Sequence, residues 1–189
     1  MSGDSQRVTV GTPFALPLIA AAYDANSKPV PGVAITFLAS DAGTFSSSTA
    51  TTDAAGRVQV TYTPGKVAGP VIVSASAPSL LSAAFDLTAA PAPPSDAAKS
   101  SGDQQAAAAG TVLATPFMVH VLDQYGNAVS GAAVTWTASA GASFTKTDQV
   151  TDNNGDAKAF LKLGNTPGVE TVTAHVAGVT DVVFTATAQ

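Results

Sequence analysis

DQYGNAVSGAAVTWTASAG, residues 123–141, decides the fold. Asp123, Gly126 and Asn127 are turn residues, and Ser130–Gly131 marks a second turn. From there Ala132, Val134 and Trp136 alternate with Ala133 and Thr135, the period-2 pattern of a half-buried strand. Turn, strand and turn within 19 residues is the rhythm of a small β-sandwich.

Ninety-nine positions upstream the same rhythm returns as DANSKPVPGVAITFLASDA, residues 24–42. The shift holds without a gap from SGDSQ at Ser2, which matches SGDQQ at Ser101, to the chain end. Under it 26 of 89 positions are identical, including Gly11 with Gly110, Pro17 with Pro116, Gly32 with Gly131, Asp53 with Asp152, Gly56 with Gly155 and Phe85 with Phe184. The chain is an internal duplication, and roughly 90 residues suffice for each copy to bury its own core.

This divides the 189 residues into a first domain at 1–90, a Pro/Ala-rich linker at 91–100 and a second domain at 101–189. In the linker Pro91, Pro93 and Pro94 remove donors and bias the backbone to polyproline geometry, so a semi-rigid spacer is predicted whose Pro-rich part, at 3.1 Å per residue, holds the domains roughly 15 to 20 Å apart.

Aligning the copies shows which parity faces inward. Leu18, Ala20 and Ala22 match Phe117, Val119 and Val121; Ile35 and Phe37 match Val134 and Trp136; Val58, Val60 and Tyr62 match Ala157, Ala159 and Leu161; Val73 and Ala75 match Val172 and Ala174. About seven short strands with a large aromatic on the third outline an immunoglobulin-like sandwich, and the fold class read from the sequence is all-β, two such sandwiches in tandem. Phe37, Phe85, Trp136 and Phe184 are the expected structural core, with Trp136 at its centre. Copy 1, with Phe37 for Trp136 and Ala20 and Ala22 for valines, is expected to have the thinner core and to unfold first.

Composition closes off several functions. Hydrophobic residues make up 46% but aromatics only 6%, and charged residues only 11%, so Ala, Val and hydroxyl side chains build the strands. A net charge of -5 with eight scattered Lys and Arg gives no stripe for a phosphate backbone, and no nucleic-acid partner is expected. With no Cys there are no disulfides, thiol nucleophiles or thiolate metal sites. The longest apolar run, residues 14–23, is interrupted by Pro17 and is too short to span a bilayer. No basic segment precedes it, so no signal peptide is read; a fragment of a longer secreted protein is the expectation.

Four features are weighed as sites. Asp152, Asn153, Asn154 and Asp156 around Gly155, with Asp148 upstream, alternate oxygen ligands as a calcium loop does. Copy 1 keeps only Asp53 and Gly56 there, and no bidentate Glu closes the loop, so a tight turn is the reading and no metal is expected. His120 and His175 fall on outward parity without Cys or carboxylate at ligand spacing, and read as solvent-facing strand residues. Catalysis finds no foothold: the one Glu is Glu170, and no catalytic residue or cofactor site is assigned. Tyr125, in the turn after Asp123, and Phe160, on outward parity between Lys158 and Lys162, are the candidate contact surface; a bulge turning Phe160 inward is the open alternative.

SGDxQ opening each copy, GT at Gly11 and Gly110, the D-x-x-x-x-x-V-x-G run from Asp24 and Asp123, TDxxG at Thr52 and Thr151, and the closing FTATA together resemble bacterial Ig-like domain group 1, the repeat of intimin- and invasin-type adhesins. Copy 2 is the closer match, whereas copy 1 lacks the usual Gly in DANSKPVPG. The resemblance implies a non-enzymatic stalk or spacer module of an extracellular bacterial surface or secreted protein, a monomer without membrane insertion. Any host or cell-surface protein or glycan is bound through regions outside this chain. The alternatives are a binding module for carbohydrate, host receptor or protein subunit, and a decoration domain of a phage virion or secreted enzyme.

Overall fold

A computed structural model describes residues 2–189. Among them every regular element is a β-strand, and no helix is long and apolar enough to cross a membrane. The chain divides into two compact units, one up to Pro91 and the other Ala92–Gln189.

The first unit carries β1 (Arg7–Thr9), β2 (Leu18–Ala21), β3 (Ala34–Ala39), β4 (Thr44–Phe45), β5 (Thr49–Thr51), β6 (Arg57–Val60), β7 (Tyr62–Thr63), β8 (Gly69–Ser76) and β9 (Ala83–Ala90). One sheet has the order β1-β9-β8-β3-β5, and β2-β6 and β4-β7 form two short pairs. The second unit carries β10 (Pro94–Ser101), β11 (Gln105–Ala107), β12 (Phe117–Asp123), β13 (Val134–Ala138), β14 (Ser143–Thr147), β15 (Asp156–Lys162), β16 (Gly168–Val176) and β17 (Val182–Ala188). Its two sheets run β10-β12-β15-β14 and β11-β17-β16-β13. In each unit a short strand after the SGDxQ motif pairs parallel with the last strand, β1 on β9 and β11 on β17, while the other ladders are antiparallel. These are two immunoglobulin-like sandwiches.

The proline-rich segment differs from the expected linker. Pro94–Ser101 is strand β10, paired with β12 through Ala97 opposite Val121, Ala98 opposite His120 and Lys99 opposite Val119. Pro94 is tolerated because it sits at the first position of an edge strand, where a missing N–H costs no ladder bond, and irregularities at Pro94/Asp96 and Lys99/Ser101 absorb the mismatch. Lys99 bonds Asp103 at 2.7 Å and lies 5.6 Å from the Phe184 ring centre, so the segment is part of the second sandwich.

Phe85 and Phe184 are fully buried and Phe37 nearly so, whereas Trp136 is only half-buried at the margin of the core. The centre of unit 2 is Phe117 against Phe184, ring centres 5.2 Å apart, with Trp136 6.2 Å from Phe184. An indole N–H needs a polar partner, and Trp136 Nε1 finds it in the Asp148 carbonyl at 3.0 Å, which holds the ring at the rim.

The two units fill the matching strand pairs differently. Ala20 faces Val58 and Leu18 faces Val60 across β2-β6, while Val119 faces Ala157 and Phe117 faces Ala159 across β12-β15. At one position the large and small side chains exchange places between the copies, Ala20 with Val58 against Val119 with Ala157, which preserves volume at close packing, and at the next Leu18 with Val60 stands where unit 2 has Phe117 with Ala159. Unit 1 also packs Phe45 against Tyr62 and Phe37 against Phe45 as tilted ring pairs, with ring centres 4.4 and 6.0 Å apart.

Candidate functional site

Four aspartates do one job. The Oδ1 of Asp24 accepts the N–H of Asn26 and Lys28, Asp53 those of Ala55 and Arg57, Asp123 those of Tyr125 and Asn127, and Asp152 those of Asn154 and Asp156, all between 2.8 and 3.0 Å. A short carboxylate that caps two amides of its own turn explains why Asp recurs here. Gly155 closes the last of these turns with φ +78, and a Cβ there would come within 2.7 Å of the Val121 carbonyl. Where unit 2 has Gly126 at φ 81, unit 1 has Ser27 at φ 60, so the departure noted in copy 1 places a side chain in a left-handed turn.

The threonine of each TDxxG motif ties that turn to the next. Buried Thr151 Oγ1 donates to Val129 O at 2.6 Å and accepts Ala132 N–H at 2.9 Å; Thr52 repeats this with Val30 O and Val33 N–H. The shared TD dipeptide carried this signal, but periodicity alone does not give the hydroxyl a role.

The four turn aspartates are not equivalent in setting. Asp123 is buried, and its Oδ2 accepts Ala92 N–H at 2.8 Å and Asn127 Nδ2 at 2.9 Å. Burial pushes its pKa up, but the side-chain and backbone donors of Asn127 with those of Ala92 and Tyr125 outweigh it and hold the carboxyl below the usual range. Exposed Asp152 is also held low, by the N–H groups of Asp156 and Asn154. Asp123 and Asp152 each direct Oδ1 at the amides of their own turn, and among the described residues no cluster of three or more metal-ligating side chains forms.

The histidines do have carboxylate partners: His120 Nδ1 lies 2.8 Å from Asp156 Oδ1 and His175 Nδ1 2.7 Å from Asp181 Oδ1. The first is a cross-strand pair, 36 residues apart in sequence, which ligand-spacing rules do not see.

A carboxylate exchanged between copies was also missed. Gly65 N–H donates to Asp41 Oδ2 at 2.8 Å, and its counterpart Gly164 N–H donates to buried Glu170 Oε1 at 2.7 Å. Under the 99-residue shift Asp41 matches Ala140 and Glu170 matches Val71, so each copy supplies the acid from a different strand or loop. In unit 1 the buried Tyr62 hydroxyl also donates to Asp41, and desolvation first, then that bond and the charge of Asp41, push the phenol far above its ordinary pKa.

Tyr125 stands 40% exposed in its turn with its backbone N–H on Asp123. Phe160 keeps outward parity in β15 and is half-buried opposite Lys146; the ladder irregularity lies in β14, between Phe144 and Lys146. A concave feature does occur elsewhere: Val134, Trp136, Phe144, Thr147 and Gln149 line a recess beside the indole. The inward parity of Trp136 in the sequence gives no sign of this recess.

Two sandwiches whose turn aspartates cap their own backbone define a tandem immunoglobulin-like module. The chain belongs to the family described as bacterial Ig-like domain (group 1), whose model matches residues 15–89 and 98–188. The solved structure of InvD from Yersinia pseudotuberculosis is similar with a TM-score of 0.73 at 18% identity, over 96% of this chain and 54% of that one. FdeC, an Escherichia coli adhesin, gives a TM-score of 0.71 at 23% identity, over 95% of this chain and 59% of that one. The chain thus spans little more than half of either. No curated protein matches it.

Proposed function

We propose that the chain is a non-enzymatic structural spacer of a bacterial surface or secreted protein, of the adhesin kind, in which two repeated sandwiches carry other domains at a distance. The observation that carries this is the fate of the acids: in both copies Asp24, Asp53, Asp123 and Asp152 are used to lock turns in one repeated geometry rather than to converge on a site. Membership of the bacterial Ig-like family and likeness of fold to the adhesin FdeC support it. Partners on this reading are a host or cell-surface protein or glycan held by other regions, and the module itself is monomeric. Displaying a reporter tip above one, two and four copies of the chain on a bacterial surface tests the reading. Reach that grows with each copy, at unchanged tip affinity, supports it, and reach independent of copy number refutes it.

A second reading, a binding module, is favoured by the recess beside Trp136, whose half-exposed indole is available as an aromatic platform. Trp136 is the one Trp of the sequence, so its fluorescence reports on that recess alone. A saturable change with a glycan would favour binding, and a flat titration the spacer.

A further inference from the structure

In unit 2 the outer edge of β12 is covered by β10, and Asp123 is buried beneath the Ala92 end of that segment. In unit 1 the matching strand β2 pairs only with β6. Ala22 N–H bonds Gly56 O, so by the two-residue period the N–H and C=O of Ala21 point the other way, to the uncovered edge. Along that edge Ser2, Ile19, Ala21, Tyr23 and Arg57 line a groove, Tyr23 is 51% exposed where Leu122 is half-buried, and Asp24 is exposed where Asp123 is buried.

We infer that the edge of β2 is a strand-docking site, and that its occupant is an extended segment of the 92–100 kind running directly into Ser2. The first rung of that ladder exists: Ser2 and Ile19 exchange backbone hydrogen bonds at 3.2 and 2.9 Å, as the counterpart of Ser101 opposite Met118. Ser2 therefore already stands against β2 in the register that Ser101 takes on β12. Charge agrees as well. Asp103 holds Thr185 N–H and the ammonium of Lys99, whereas its counterpart Asp4 holds Asp86 N–H and has no cationic partner among the described residues. A lysine two residues ahead of Ser2 would supply it. An open sheet edge is a template for pairing, and here the duplicate shows what fits.

The test compares the chain as it stands with one in which Met1 is replaced by Ala-Pro-Pro-Ser-Asp-Ala-Ala-Lys-Ser, the sequence of 92–100. Amide hydrogen exchange at Ala21 is expected to slow by about tenfold or more in the extended chain. It should remain fast when proline stands at the places of Asp96 and Ala98, whose backbone groups face β12. Equal protection by the proline version, or none by either, overturns the docking site. Protection in the unextended chain that rises with protein concentration overturns the occupant, because a second copy would then fill the edge. Neither result bears on reach in the display experiment.

Discussion

The carboxylate of Asp123 accepts the backbone N–H of Ala92 at 2.8 Å, which joins the first residue of the second sandwich to the turn that opens its β12–β13 connection. The same side chain caps Tyr125 and Asn127, so one buried anion holds three backbone amides in two stretches of chain. Replacing it orphans several donors at once. Asp123→Ala is expected to cost roughly 2 to 4 kcal/mol by urea denaturation, against about 1 kcal/mol for exposed Asp24→Ala.

Acid should act on the same residues. Asp123 and Asp152 are held low as described, and Asp103 likewise, by the Lys99 bond first and by the Thr185 N–H. A carboxyl whose pKa is lower folded than unfolded stabilises the fold above the ordinary range near 3.9, and that contribution is lost as pH falls through the folded value. All three groups belong to unit 2, whose unfolding midpoint is expected to drop more steeply than that of unit 1 below about pH 4. Separate calorimetric transitions at pH 7 and pH 3 check it.

The core exchange predicts coupling. Ala20→Val alone overfills the β2-β6 contact and is expected to cost about 1 to 3 kcal/mol, while adding Val58→Ala restores the order seen at Val119 and Ala157 and recovers most of that. A double-mutant cycle with an interaction term of about 1 kcal/mol or more is expected; strict additivity would contradict the exchange.

Phe184 and Trp136 should separate by depth. Phe184→Ala empties a fully buried site and is expected to cost about 3 to 5 kcal/mol, whereas half-buried Trp136→Ala should cost less, about 2 kcal/mol. Equal losses in denaturant titrations would put Trp136 back in the core.

Much of this was legible in the sequence because the duplication gave each strand a second reading: the parity of Leu18, Ala20 and Ala22 was settled by Phe117, Val119 and Val121. Parity names a face, not a depth, which is why Trp136 was placed too deep. Composition misled at residues 94–101, since three prolines suggest a spacer when only Pro94 lies in the strand and needs no donor there. Cross-strand partners such as His120 with Asp156, and the acid exchanged between Asp41 and Glu170, depend on ladder register that spacing rules do not contain.

That exchange can be tested by moving it. Glu170→Val leaves the buried Gly164 N–H without its acceptor and is expected to cost about 1 to 3 kcal/mol, and adding Ala140→Asp should return part of it.

The most direct test of the spacer reading places the chain outermost on bacteria and measures adhesion to host-cell and glycan-coated surfaces. The account predicts adhesion no greater than that of cells without it. Saturable adhesion that is lost on Tyr125→Ser with Phe160→Thr, or that quenches Trp136 fluorescence when the soluble ligand is added, would contradict it.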